Sequence, residues 1–138
     1  MMFKLSKKTE YGILALQHMA SLNGSRVATV KEIAETHRVP QSLLAKILQQ
    51  LAKSKIIQSV QGSRGGYTLS RNAKEISLAD VLEAIEGPLS IVECTLENHR
   101  CERDEFCTLK DSLNPIQQHL STYFHSVTLA DFTTAAQI

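Results

Sequence analysis

The sequence predicts a mostly α-helical chain with one small β-hairpin wing: a winged helix-turn-helix followed by a C-terminal dimerisation helix. Three observations predict it. Apolar side chains recur at three- and four-residue spacings over most of the 138 residues. A glycine-rich turn, Gln61-Gly-Ser-Arg-Gly-Gly66, separates two short stretches of alternating polarity. Near the end, Leu109, Leu113, Ile116, Leu120 and Phe124 form a stripe stepping by four, three, four and four residues, a spacing suited to helix–helix pairing.

Ser6 is placed to cap a first helix from about Lys7 to Leu22, with Tyr11, Leu14, Ala15, Met19 and Leu22 as its buried face. Asn23-Gly24-Ser25 ends it. Thr29-Val-Lys-Glu32 has the form of a capping box and opens a short helix through Ile33, Ala34 and Thr36. The chain then turns at His37-Arg38-Val39. Pro40 suits the first turn of a helix running to Lys53, which buries Leu44, Ile47, Leu48 and Leu51. Its opposite face, Ser42, Ala45, Lys46, Gln49 and Lys53, is small, polar and basic, as expected of the second helix of a helix-turn-helix.

Ile57–Val60 and Tyr67–Ser70 read as the strands of the wing. Ser77-Leu-Ala-Asp80 is a second capping box, opening a helix through Val81, Leu82 and Ile85 that stops at Gly87-Pro88. Pro115 either starts a new helix after Asn114 or interrupts a longer one. Thr128-Leu-Ala-Asp131 caps a last short helix. The stripe from Leu109 to Phe124 serves as intrachain core or as the interface of a homodimer, and two-fold symmetry favours the dimer for a DNA-reading module.

The net charge of +1 conceals a division. Residues 1–76 carry twelve Lys/Arg against four Asp/Glu, whereas residues 77–138 carry three against ten. A basic winged helix-turn-helix (1–76) joined to an acidic, cysteine-bearing dimerisation region (77–138), within one compact domain, suits a polyanion-binding module with an attached regulatory part. The partner this implies is double-stranded DNA. Gln41, Ser42 and Lys46 are placed against base edges, with Gln49 behind them; Gln can read adenine through two hydrogen bonds, and Ser is permissive. Lys7, Lys8, Lys53 and Lys55 suit phosphates, which position without specifying. The wing tip, Gln61, Gly62, Ser63 and Arg64, can lay its guanidinium along or into a minor groove.

No run of about 18 apolar residues is present, so no membrane span is expected. No apolar stretch follows the basic N-terminus, so a cytoplasmic, reducing location is expected. No nucleophile–base constellation appears, and the glycines lie in a hairpin rather than before a helix, so no enzyme is read. All three cysteines, Cys94, Cys101 and Cys107, fall in one C-x6-C-x5-C segment. Three thiols cannot all pair within one chain. Three soft ligands on a short polar segment suit an iron–sulfur cluster or another thiophilic metal, with a fourth ligand from elsewhere.

Several segments together resemble the Rrf-two family of regulators (IscR/NsrR/RirA-like). They are Lys4-Leu-Ser-Lys-Lys-Thr-Glu-Tyr11, Ile33-Ala34 with Leu43-Leu44, Val60-Gln-Gly-Ser-Arg-Gly-Gly-Tyr67, Ile76-Ser-Leu-Ala-Asp-Val81 and the cysteine segment. The resemblance implies a homodimeric winged-helix transcription factor on a pseudo-palindromic operator. It also implies an iron–sulfur cluster (2Fe-2S or 4Fe-4S) held by Cys94, Cys101 and Cys107 beside the dimerisation helix. Some members take a His three residues after the third cysteine as fourth ligand; here that residue is Lys110. Others use a carboxylate near the start of the first helix of the partner subunit, which here matches Glu10. His37 and His99 are weaker candidate ligands, and His119 and His125 read as surface residues of a helix.

The expected signal is iron or cluster status, nitric oxide or redox state. Three alternatives stand beside this reading: a thiol-redox switch without a cluster, a zinc-dependent regulator, and an iron–sulfur electron carrier, which would leave the basic helix-turn-helix without a role. The acidic neighbours Glu93, Glu97, Glu102, Asp104 and Glu105 disfavour thiol oxidation, because negative charge raises thiol pKa.

Overall fold

A computed structural model describes residues 6–22, 25–62, 65–88 and 108–131. Its elements in chain order are α1 (Lys7–Ser21), α2 (Val30–His37), α3 (Gln41–Lys53), β1 (Ile57–Val60), β2 (Gly66–Leu69), α4 (Leu78–Glu86) and α5 (Thr108–Ser126). A short 3-10 turn at Ala73–Glu75 links β2 to α4. The architecture is the expected mostly α fold with one hairpin.

Ser6 caps α1, its hydroxyl accepting the Thr9 amide at 3.2 Å. The buried face of α1 is not quite the expected one. Ala15 and Met19 are buried, but Leu14 and Leu22 are only half-buried; Thr9, Gly12, Leu16 and Ala20 are buried instead. The reason is that α1 packs against several elements at once, chiefly α3, α4 and β2, so its apolar face is wider than a single stripe. Gly12 lets these helices close together, since a Cβ there would lie 2.5 Å from Ile85 Cδ1 and 3.4 Å from Ile47 Cγ2. Asn23 and Gly24 lie outside the described residues.

Thr29 caps α2 by accepting the Glu32 amide at 3.0 Å. Only this half of the expected capping box forms, because the Glu32 carboxylate turns to Arg26 and His18. Arg38 closes α2 in the left-handed region (φ 55°), and the Val39 amide bonds back to the Ala34 carbonyl at 2.9 Å. Pro40 is the residue before α3 rather than its first turn. Leu44, Ile47, Leu48 and Leu51 are wholly buried, as their spacing predicts.

The hairpin pairs Ile57 with Leu69, Gln58 with Thr68, Ser59 with Tyr67 and Val60 with Gly66. Its second strand starts and ends one residue earlier than expected, because Ser70 leaves the ladder, its hydroxyl donating to the Lys55 carbonyl. Ala28, just before α2, bridges Tyr67 through two backbone hydrogen bonds of 2.9 and 2.7 Å. This bridge seats the wing on the helix-turn-helix. It requires Gly66, where a Cβ would lie 2.4 Å from the Ala28 carbonyl oxygen.

The capping box of α4 is complete. The Ser77 hydroxyl accepts the Asp80 amide at 3.0 Å, and the Asp80 carboxylate accepts the Ser77 amide at 3.1 Å. Gly87 ends the helix at φ 94°. α5 is one helix with Pro115 inside it, which resolves the two expected possibilities. After it, the Asp131 carboxylate accepts the Thr128 amide at 2.9 Å, as the capping reading predicts. The chain beyond α5 returns to the start of α4, where the Leu78 amide bonds to Val127 and the Leu129 amide to Ile76. One core joins α1 to α4 and includes Leu129. Among the described residues, no helix is long and apolar enough to cross a membrane.

Candidate nucleic-acid interface and signal-bearing residues

α3 is held by its buried leucines and isoleucine, which fixes what its other face offers. Gln41, Ser42, Lys46, Gln49 and Lys53 are all exposed. Tertiary packing adds Lys8 from α1: it lines one shallow groove with Lys46, Gln49, Gln50 and Lys53, floored by Leu43 and Ile47. Three cations from two helices therefore border one concave strip. Lys7 lies beside it in sequence and pairs with Glu10 at 3.3 Å on the surface. Lys55 is exposed at φ 63° in the turn before the wing. At the wing tip, Gln61 and Gly62 are exposed, and the Gly65 amide donates to the Gly62 carbonyl at 3.1 Å. Gly62 at φ 136° is a conformation that needs glycine. Ser63 and Arg64 lie outside the described residues.

A polar chain behind the helix-turn-helix was not legible in the sequence. His37 Nε2 lies 3.2 Å from His18 Nδ1, and His18 Nε2 lies 2.5 Å from the Glu32 carboxylate. Arg26 closes the other side of Glu32 at 2.5 Å. Glu32 accepts from His18 Nε2–H, and His18 Nδ1 and His37 Nε2 share the second hydrogen bond, whose donor is set by which ring nitrogen carries the proton. The chain joins α1, α2 and the loop leading to Ala28. Its members come from separate segments, so no local spacing signals it.

Burial, and then the neighbouring His18, hold His37 below the ordinary histidine value. A lowered folded pKa means that the unfolded chain takes up the proton first. The contribution of neutral His37 to stability is then complete above about pH 6.5 and is lost as pH falls through the lowered value. Glu32 is held low mainly by its hydrogen bond from Arg26, so its own contribution is lost in a separate, more acidic window. We expect the urea midpoint of the wild type to fall more steeply than that of His37→Gln on acidification from neutral pH. Parallel pH dependences would show that His37 does not titrate with folding.

Cys94, Cys101, Cys107 and His99 lie outside the described residues, as do the side chains of Leu109 and Lys110. Glu10 stands in the first turn of α1, half-exposed, and among the described residues its carboxylate pairs with Lys7 on the surface. His119 and His125 are exposed on α5, as expected. Among the described residues, no three His, Cys, Asp or Glu side chains converge into a metal site. α5 packs chiefly on α4 and leaves Ile116 half-exposed and Tyr123 more than half.

The sequence profile of the Rrf2 family, described as iron-dependent transcriptional regulators, matches residues 5–135. An Aquifex aeolicus protein, provisionally named an HTH-type transcriptional regulator, is 30% identical over 128 residues, covering 91% of this chain and 88% of its own. Among solved structures, CymR (YrzC), the global cysteine regulator of B. subtilis, aligns with TM-score 0.77 and 26% identity over 96% of this chain and 98% of its own. IscR of T. potens aligns with TM-score 0.76 and 27% identity over 97% of this chain and 88% of its own. These likenesses run through the winged helix-turn-helix and α5 alike, and the chain belongs to the Rrf2 family of DNA-binding transcriptional regulators, which are not enzymes.

Proposed function

We propose that this chain is a homodimeric transcriptional regulator that binds a pseudo-palindromic operator through α3 and the wing, and that Cys94, Cys101 and Cys107 carry its signal. The observation that carries the DNA reading is the basic strip formed by Lys8, Lys46 and Lys53 beside the exposed Gln41, Ser42 and Gln49. Lysines there neutralise phosphates, while the short polar side chains at the start of α3 reach base edges. The apolar side chains that α5 leaves exposed support pairing with a second copy, which sets two reading heads roughly 34 Å apart. Neither the thiols nor the charge pattern calls for a membrane, and reduced thiols suit the cytoplasm.

The finer question is what the cysteines hold. The family's iron-dependent description and the donor chemistry support an iron–sulfur cluster, completed by Glu10 from the partner subunit. Three thiolates fit such a group, and Glu10 is free enough to reach one. When bound, the cluster would supply a redox- and iron-responsive link between subunits. The second reading has the thiols act without a cluster, as redox groups or as zinc ligands; the likeness to CymR, a global cysteine regulator, is as strong as that to IscR and fits a family whose members differ in signal.

Two measurements test the proposal. Arg64→Ala should weaken specific operator binding by about 1–3 kcal/mol. An unchanged footprint and affinity would remove the wing from the interface. Iron, sulfide and zinc counts on anaerobically purified protein then separate the two chemistries, and repeating them on Glu10→Ala tests the fourth ligand.

A further inference from the structure

Glu86 is the last residue of α4. A carboxylate there runs against its own helix, whose carbonyl end already carries partial negative charge. Its side chain is nevertheless well partnered. It accepts a hydrogen bond from the Thr9 hydroxyl at 2.7 Å and another from the hydroxyl of Ser6, the cap of α1. Thr9 is wholly buried, and with Ser77 it is one of two buried polar residues among the described residues. The carboxylate thus sits at the N-terminus of α1, where free amides carry partial positive charge. An acid misplaced on one helix is well placed on another. The hydroxyls of Ser6 and then Thr9, with Lys8 nearby, hold its carboxyl below the usual carboxylate range.

The turn held in this way carries Lys7 and Lys8. First turns of helices fray, and a frayed turn leaves its lysines without a fixed place. We propose that Glu86 is a positioning residue for DNA binding: it locks the first turn of α1 so that Lys7 and Lys8 stand over the same phosphate track as Lys46 and Lys53. The inference rests on the DNA-binding reading above.

Charge and geometry predict opposite signs. Removing an acid from a DNA-binding face tightens binding if charge alone matters. Loss of the positioning contact weakens it. The test uses the full chain and a random-sequence duplex of about 30 base pairs, which reads phosphate contacts without base contacts, titrated by fluorescence anisotropy over a salt series. Glu86→Ala and Glu86→Asp (which keeps the charge but falls one methylene short) should each weaken binding roughly 3–10-fold and reduce the slope of log K against log salt by about 1. Glu86→Gln keeps the reach and one acceptor oxygen, and should retain more affinity than either.

Glu86→Ala binding as tightly as wild type or tighter, with the slope unchanged, would overturn the proposal. Should the alanine variant fail to fold, the order of Asp and Gln decides: Asp equal to wild type overturns it. Lys53→Ala lies outside this contact and serves as the control. If it weakens binding while Glu86→Ala does not, the positioning role fails and the DNA reading stands. If the wild type binds no duplex, both fail.

Discussion

Cys101→Ala is expected to abolish the response of DNA affinity to the regulator's signal. Under the cluster reading, the anaerobically purified variant also loses its visible absorbance, because a cluster deprived of one of three thiolates is not retained. Under the cluster-free reading, no absorbance exists to lose, but the variant lacks a redox group or a zinc ligand. Allosteric couplings of about 1–3 kcal/mol correspond to roughly 5–150-fold in affinity. That ratio, measured as operator affinity of the anaerobic protein before and after oxidant, should collapse to about 1 in the variant. A Cys101→Ala protein that keeps both the wild-type spectrum and the wild-type ratio would remove Cys101 from the signal-bearing site.

Gly66→Ala is expected to destabilise the fold and displace the wing. The added methyl meets backbone, not a side chain that can swing away: 2.4 Å to the Ala28 oxygen, 2.8 Å to its carbonyl carbon and 3.2 Å to the Thr29 nitrogen. Relief requires the Ala28–Tyr67 bridge to open, with loss of its two backbone hydrogen bonds. Overpacking of this kind costs about 1–3 kcal/mol, and two hydrogen bonds at about 1 kcal/mol each set a similar scale. Because the same bridge seats the hairpin beside α2, operator affinity should fall along with the urea midpoint. A variant with wild-type midpoint and affinity would show that the bridge is dispensable.

The recognition helix was legible in the sequence because its period is local. Leu44, Ile47, Leu48 and Leu51 repeat at helical spacing, and all four are wholly buried. The cap of α4 was legible for the same reason, since Ser77 and Asp80 are three residues apart and each side chain bonds to the other's backbone. The failures share the opposite property. Glu32 has the spacing of a capping box with Thr29, but a distant Arg and His compete for its carboxylate and win it. Leu14 and Leu22 fit the stripe of α1, but contact with several other elements moves burial to Leu16, Gly12 and Ala20.

The sequence by itself determined the element types, the family and the residues facing outward from α3, because each depends on neighbours within about one helical turn. It also named the cysteines as the chemically distinctive group. Tertiary structure alone decided which distant residues meet: Lys8 with Lys46 and Lys53, His37 with His18 and Glu32, and Glu86 with Ser6 and Thr9. These groups are polar, and polar side chains carry no periodic signal of burial. Their positions are set by how the apolar faces of α1, α3 and α4 close around Gly12, and only the packed core fixes that.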